Sequence, residues 1–122
     1  MTEITYLSID EIIAINKKFN GGTKIGDLDF ILSKIESYRL TENFRKDVAE
    51  SAATLWYYII QNHVFVDGNK RTAAESVKLF CKANEFCLDI QSNGFIYISL
   101  RIANNHISFQ ELVDLIYEKL RK

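Results

Sequence analysis

The sequence contains no proline, one methionine, one tryptophan and only two cysteines among its 122 residues. The absence of proline argues against a loop-rich β fold and favours helices joined by short glycine and asparagine turns. The cysteines, Cys81 and Cys87, do not have the spacing of a metal-binding or redox pair. We therefore expect both to be small apolar packing residues in a reducing compartment.

The sequence also lacks an excess of either charge, since 15 Lys and Arg residues face 16 Asp and Glu residues. This balance gives no indication of nucleic-acid binding. No apolar run is long enough to span a membrane, and the first ten residues lack the basic and apolar segments of a secretory signal. We expect a cytoplasmic protein that binds neither nucleic acid nor membranes directly.

The length of the chain fits one domain, which we predict to extend over residues 1–122. No repeat, low-complexity tract or linker divides the chain. Apolar residues recur at helical spacing along most of it. The predicted fold is therefore all-α, a compact bundle of about six helices.

Helix starts are marked in the sequence by caps and by apolar spacing. Ser8 with Glu11, and Ser108 with Glu111, have the spacing of a capping box. The longest predicted helix places an apolar face at steps of three and four residues, formed by Phe44, Val48, Ala52, Leu55 and Ile59. Helices are predicted after Ser8 (ending at Asn20-Gly21-Gly22), from near Asp27, from about Thr41 to Asn62, from near Asn69, and after Ser108 through Leu120.

The segment from residue 94 to 104 fits two interpretations. Its apolar residues Ile96, Ile98, Leu100 and Ile102 alternate with more polar ones, which is the period of a strand. A single strand would have no partner elsewhere in the predicted chain. We therefore prefer a helix there, and the alternation leaves a strand open.

One polar cluster interrupts the helical pattern, in the stretch QNHVFVDGNKRTAAESVKLF from Gln61 to Phe80. Gly68 and Asn69 stand where a helix should begin, and the first N–H groups of a helix attract anions. Lys70 and Arg71 add positive charge at an end that ordinarily prefers acidic residues. Such a departure indicates a phosphate-binding site.

Two titratable residues precede this cluster. Asp67 is either a helix N-cap or an oxygen ligand for Mg²⁺, which proteins hold with one or two carboxylates and substrate phosphates. His63 is either a structural residue at a helix end or a general base suited to neutral pH. We expect Phe65 to anchor the loop in the core and to direct His63 and Asp67 outward, with Val64 and Val66 as packing residues.

The stretch HVFVDGNKR resembles the signature of the Fic/Doc superfamily, which has the form H-x-F-x-(D/E)-(G/A)-N-(G/K)-R. The resemblance extends to the opening YLSIDEIIAIN and the long helix before the motif. It implies a general base, a Mg²⁺ ligand, an anion hole and phosphate-binding cations, with ATP as substrate. These roles would fall to His63, to Asp67, to Gly68 with Asn69, and to Lys70 with Arg71.

The resemblance is greatest to the Doc (death-on-curing) branch. Fic enzymes that transfer AMP have a second arginine three residues after the first, where this chain has Ala74. Doc toxins bind ATP in reverse and transfer its γ-phosphate to a threonine of elongation factor Tu. Gly68 departs from the alanine common in Doc. The interpretation is therefore a Doc-like protein kinase, with AMP transfer by the same residues, or an inactive binding module, as alternatives.

Regulation is also implied by the resemblance. Many Fic enzymes inhibit themselves through a motif of the form (S/T)-x-x-x-E-(G/N), but the only matching glutamate, Glu42, follows Tyr38 by four residues. The motif is therefore absent, which agrees with a toxin neutralised by a separate antitoxin whose disordered tail folds as a helix on its surface. Thr23 to Asp29 is the candidate for the flap that docks the target protein.

Overall fold

Six α-helices make up most of the part of the chain that a computed structural model describes, namely residues 4–19, 25–37 and 41–122. Two strands of two residues each follow α4 and α6. The predicted all-α bundle of about six helices is therefore confirmed. The elements are α1 (Ile9–Lys17), α2 (Ile25–Glu36), α3 (Phe44–Gln61), α4 (Asn69–Ala83), β1 (Cys87–Leu88), α5 (Ser92–Ala103), α6 (Phe109–Lys119) and β2 (Leu120–Arg121).

Helix α3 lies at the centre of the fold and packs against α2, α4, α5 and α6. Its predicted apolar face is buried at Val48 and Leu55, while Ala49, Ala53 and Trp56 are buried on other sides. The sequence predicts one buried face, but α3 is buried on several sides because other helices surround it. The small side chains let those neighbours approach closely, and α4 is in this way held against α3 next to the loop that joins them.

The predicted caps are present at the ends of two helices. Ser8 accepts the Glu11 N–H at 3.2 Å, and Ser108 accepts the Glu111 N–H at 3.1 Å, each with the reciprocal bond of a capping box. The residues Asn20 to Gly22, predicted to end the first helix, lie outside the described residues. Helix α3 begins three residues later than predicted, because Asn43 is its N-cap.

The segment from residue 94 to 104, for which the sequence allows a helix or a strand, belongs to a helix, α5, as far as Ala103. Phe95, Ile98 and Ile102 are buried, whereas Ile96 and Leu100 are exposed. The alternating residues therefore do not share a face, and the helical period decides which are buried. Within the core, the Trp56 indole N–H donates to the Ser99 hydroxyl at 2.9 Å and fixes α5 against α3.

Two predictions for residues of the two-strand sheet are wrong in detail. The last helix ends at Lys119, because Leu120 has extended backbone and pairs with Leu88 in an antiparallel two-strand sheet. Cys87 is exposed, since β1 turns only Leu88 toward the core. Cys81 is buried as expected, and burial raises the pKa of its thiol to about 12. Only Cys87 is therefore open to reagents in solution.

Among the described residues, no helix has both the length and the apolar character that crossing a bilayer requires.

Of the proposed flap, Thr23 and Lys24 lie outside the described residues, and Ile25 to Asp29 form the beginning of α2. Its docking role stays a prediction.

Candidate active site

The loop between α3 and α4 begins with a histidine in an unusual backbone conformation. The Val64 N–H donates to the Ile59 carbonyl at 3.4 Å, and the His63 N–H donates to the Ile60 carbonyl at 3.3 Å. These bonds form a Schellman motif, in which glycine usually occupies the place of His63. His63 has a φ of 47°, a left-handed conformation that costs a non-glycine residue about 1–3 kcal/mol. Its imidazole is exposed to solvent.

The next residues fix the loop in place. Phe65 and Val64 are buried, as predicted. The Asn69 side chain holds the Phe65 backbone from both sides, accepting its N–H and donating to its carbonyl, each at 2.8 Å. The Asn69 amide is thus used to shape the loop. Its expected place in an anion hole can be filled only by its backbone N–H.

Val66 is not the packing residue that the sequence predicts, because 72% of its surface is exposed. The chain turns after Phe65, so that Val66 projects on the side opposite the core. It lines the same cavity as His63 and Asp67. An apolar side chain at this place can contact a molecule that enters the cavity.

The start of α4 is left open by the protein. Its N-cap is Gly68, with a left-handed φ of 75°, and no side chain caps the helix. The first turn holds no acidic residue, and Lys70 and Arg71 are exposed there. Free N–H groups, the positive end of the helix dipole and two cations therefore act on the same region.

Asp67 does not act as the N-cap of α4, so that alternative for this residue is excluded. Its Oδ1 accepts the Gly68 N–H at 2.8 Å, and the side chain is exposed. The described residues contain no group of three or more side chains that could by themselves hold a metal ion. A lone carboxylate beside an anion-binding helix end still fits Mg²⁺, which binds with few protein ligands when phosphates supply the others.

All the site residues predicted from the sequence line one polar cavity of about 490 Å³. His63 and Asp67 lie on the loop, and the cationic residues lie on the first turn of α4. The arrangement combines a histidine, a carboxylate and a surface that attracts anions. The lining residues are Ile60, His63, Val66, Asp67, Gly68, Asn69, Lys70, Arg71 and Ala103.

A second cavity of about 450 Å³ adjoins the first and is mainly apolar. Lys70 and Arg71 line both cavities, so the two meet at the start of α4. Ala74 lies one turn further along α4, and its small side chain leaves this space open. The other lining residues come from the end of α1, from α4 and from α5: Phe19, Glu75, Lys78, Ser92, Phe95, Ile96, Ser99 and Leu100.

Two residues of the site region were missed in the sequence, and both come from the end of α1. The Asn16 side chain is 1% exposed and donates to the Asp67 carbonyl at 2.9 Å. Phe19 lies 2.9 Å from where a Cβ on Gly68 would stand. A signal for Asn16 exists, because it continues the apolar helical spacing of Ile9, Ile12 and Ile13 as a polar residue.

Comparison with known proteins gives one match. The Fic/DOC family model matches residues 6–81, which is more than half of the chain and includes the whole loop and most of α4. Comparisons with curated proteins and with solved structures gave no match. Enzymes of this family typically transfer nucleotide-derived groups to proteins and generally use ATP with Mg²⁺.

Proposed function

We propose that this chain, which belongs to the Fic/DOC family, transfers the γ-phosphate of ATP to a hydroxyl group of a target protein. The observation that supports this proposal is the pair of cavities that meet at Lys70 and Arg71. One is polar and contains the histidine, the carboxylate and the open helix start. The other is apolar and has room for a nucleoside.

The apolar cavity favours phosphate transfer over AMP transfer. An AMP transferase must hold the β- and γ-phosphates as its leaving group, and the second arginine that such Fic enzymes use is replaced here by Ala74. The cavity beside Ala74 is mainly apolar, with Phe95, Ile96 and Leu100 in its lining, which suits an adenine ring better than a charged phosphate. Its cations are engaged elsewhere, because Lys70 and Arg71 lie where the two cavities meet and Lys78 is paired with Glu75 at 3.2 Å. With the adenine in this cavity, the outer phosphates of ATP extend toward the start of α4 and His63.

The residues of the polar cavity then have defined tasks. The His63 imidazole takes the proton of the target hydroxyl, and the hydroxyl oxygen attacks the γ-phosphorus. A bond forms between them, while the bond from the γ-phosphorus to the bridging oxygen breaks and ADP leaves. The N–H groups at the start of α4, with Lys70 and Arg71, stabilise the phosphate charge during transfer.

Asp67 is the residue that would hold Mg²⁺, since its carboxylate is exposed beside the phosphate-binding helix end. A bound Mg²⁺ neutralises phosphate charge and orients the phosphates. The Asp67 Oδ1 is already engaged by the Gly68 N–H at 2.8 Å. This bond orients the carboxylate, and its second oxygen is left for a ligand.

We propose a threonine of elongation factor Tu as the target, and the cytoplasm as the place of action. The support is the resemblance of the motif DGNKRTA to Doc toxins. Blocked translation would be the result. Val66, exposed beside His63, is suited to contact an apolar residue next to that threonine.

We also propose a partner, an antitoxin with an acidic, amphipathic helical tail. A third cavity of about 300 Å³ lies between α1 and α4, with Lys18, Lys78 and Lys82 around the apolar Ile15 and Leu79. This charge is complementary to an acidic helix with an apolar face. Phe19, Glu75 and Lys78 also line the apolar cavity, so a bound tail would obstruct the proposed nucleoside site.

The test is mass spectrometry of elongation factor Tu after incubation with this protein, Mg²⁺ and ATP. We expect the addition of one phosphate. The variant His63→Ala should reduce the rate by about 10²–10⁴-fold, as expected for loss of a general base. His106→Ala is the matched control, because His106 is the only other histidine and is exposed on the turn before α6.

Each other outcome selects an alternative. Addition of AMP would assign the chain to the transferases despite Ala74. Modification of a different protein in a cell lysate would correct the target and keep the reaction. If no protein gains either group, the chain is an inactive nucleotide-binding or partner-binding module, and ATP binding measured by calorimetry would then distinguish these two.

A further inference from the structure

Asn16 is a buried polar residue on the apolar side of α1. It stands in the last turn of the helix, with 1% of its surface exposed, where the spacing of the neighbouring isoleucines would favour another apolar residue. A buried amide must be hydrogen-bonded or it destabilises the fold. The partners of Asn16 are therefore informative about its role.

Both partners of the Asn16 amide group belong to the active-site segment. Its Nδ2 donates to the Asp67 carbonyl at 2.9 Å and to the Thr72 hydroxyl at 2.9 Å. The Thr72 N–H in turn donates to the Gly68 carbonyl at 2.8 Å, which is the first bond of α4. One side chain of α1 thus holds the loop and the first turn of α4 together.

The Asp67–Gly68 peptide is fixed on both sides by these contacts. Its carbonyl accepts from Asn16, and its N–H donates to the Asp67 carboxylate at 2.8 Å. The end of α1 also lies against Gly68, where an added Cβ would stand 2.9 Å from the Phe19 Cβ and 3.3 Å from the Asn16 Nδ2. Rotation of this peptide would turn both the carboxylate and the start of α4.

We infer that Asn16 is a positioning residue of the active site, which holds the Asp67–Gly68 peptide in the orientation that phosphate transfer requires. Asn16 lines none of the three cavities and acts through Asp67. The inference rests on the proposed function for the role of Asp67 toward Mg²⁺. The orientation of the peptide itself does not depend on which group the enzyme transfers.

The variant Asn16→Leu removes the donor, keeps the branching and the number of side-chain heavy atoms, and buries no charge. Thr72→Val is the matched comparison, because it removes only the second acceptor and leaves the bond to Asp67. Both variants weaken the contact between α1 and α4, so both should lower the melting temperature. If Asn16→Leu does not fold, Asn16→Ala provides a second way to remove the donor without burying a charge or overfilling the site.

The first measurement is the set of backbone amide NMR shifts of residues 66–70 without nucleotide. We expect these to move in Asn16→Leu and to move much less in Thr72→Val.

The second measurement is steady-state kinetics over a range of Mg²⁺ concentrations. We expect kcat to fall about 10- to 100-fold in Asn16→Leu, as for other residues that orient a metal ligand, with more Mg²⁺ needed for half-maximal rate. The KM for the target protein should stay unchanged.

Two results would overturn the inference. One is unmoved amide shifts at residues 66–70 in a folded Asn16→Leu protein. The other is an equal fall of kcat in Asn16→Leu and Thr72→Val, which would show a purely structural contact. A wild-type protein that transfers no phosphate would contradict the proposed function instead, and the NMR comparison would still decide whether Asn16 orients the peptide.

Discussion

The starts of α6 and α4 differ in their capping and in the charge of their first turn. At α6, Ser108 caps the helix and Glu111, in its first turn, completes a capping box. At α4, Gly68 offers no side chain, and Arg71 stands at the place that corresponds to Glu111. The first N–H groups of α6 are bonded by its own residues. The start of α4 is positive and uncapped, which stabilises the protein less and attracts an anion.

An uncapped helix start indicates a binding site only when other features of that start also attract an anion. α1 also begins with a capping box, Ser8 with Glu11. A missing cap alone does not mark a site, because α5 also begins without a side-chain cap, at Gln91. The start of α4 differs in its left-handed glycine N-cap and in the cations Lys70 and Arg71. Exchange of charge between the starts of α4 and α6 should therefore separate binding from stability.

The largest effect is expected from Arg71→Glu. It removes a cation proposed to bind phosphate and adds an anion, so we expect ATP binding to weaken about 100-fold or more, from the loss of charge-assisted bonds. Stability should change by less than about 1 kcal/mol, because a favourable dipole interaction offsets the loss of the contact between Arg71 and the Phe19 ring. Calorimetry with ATP and thermal unfolding measure the two quantities.

The matched variant is Glu111→Arg at α6. It should lower stability through loss of the capping box and an unfavourable dipole interaction, and leave ATP binding as in the wild type. If both variants lower stability equally and neither affects ATP binding, the two helix ends do not differ in function.

The next effect is expected from Gly68→Ala. The left-handed φ of 75° and the Phe19 Cβ, 2.9 Å from the new methyl group, should lower the free energy of unfolding by about 1–3 kcal/mol. Denaturant unfolding measures it. Gly94→Ala in α5 is the control, because the close atom there is only the end of the Ile90 side chain. Equal losses in the two variants would argue against this packing of α1 on the loop.

A smaller effect is expected from Ser108→Ala, which removes the cap of α6. The loss of the bond to the Glu111 N–H should cost about 1 kcal/mol of stability. Transfer activity at a temperature where the variant is folded should equal that of the wild type, since α6 contributes no residue to either cavity at the start of α4. A fall in activity without unfolding would contradict the structural role given to this end.

The smallest effect is expected from Glu111→Gln and depends on pH. Hydrogen bonds from the Ser108 backbone and side chain lower the pKa of Glu111 below its ordinary value of 4.5. The ionised carboxylate therefore stabilises the fold above that pH, and the contribution is lost as pH falls through the lowered pKa. The difference in unfolding free energy between wild type and variant should be constant near neutral pH and shrink in acid. An unchanged difference down to low pH would exclude this capping bond.

Local patterns in the sequence were enough to predict the helices, the two capping boxes and the residues around the cavity. Each of these depends on residues within a few positions of one another, as in Ser108 with Glu111 or His63 with Asp67. The absence of a partner strand in the predicted chain led to the correct prediction of α5, although its apolar residues alternate with the period of a strand. The prediction of packing residues failed at Val66 and Cys87, because a turn of the loop and a short strand pairing expose these side chains.

The contribution of α1 to the loop could not be predicted in the same way. The bond from Asn16 to the Asp67 carbonyl joins residues 51 positions apart, and nothing local announces its partner. The close approach of Phe19 likewise explains why position 68 is glycine here, where the Doc branch commonly has alanine. Such contacts depend on how whole helices pack against each other.

The bond between Asn16 and Asp67 also has a consequence for the order of folding. The α3–α4 hairpin closes a short loop, whereas the docking of α1 closes a loop of 51 residues and has a larger entropic cost. A folding intermediate that has formed only the hairpin contains every residue of the motif, but its Asp67–Gly68 peptide is not yet held. The proposed site would therefore be complete only after α1 has docked against the loop and α4.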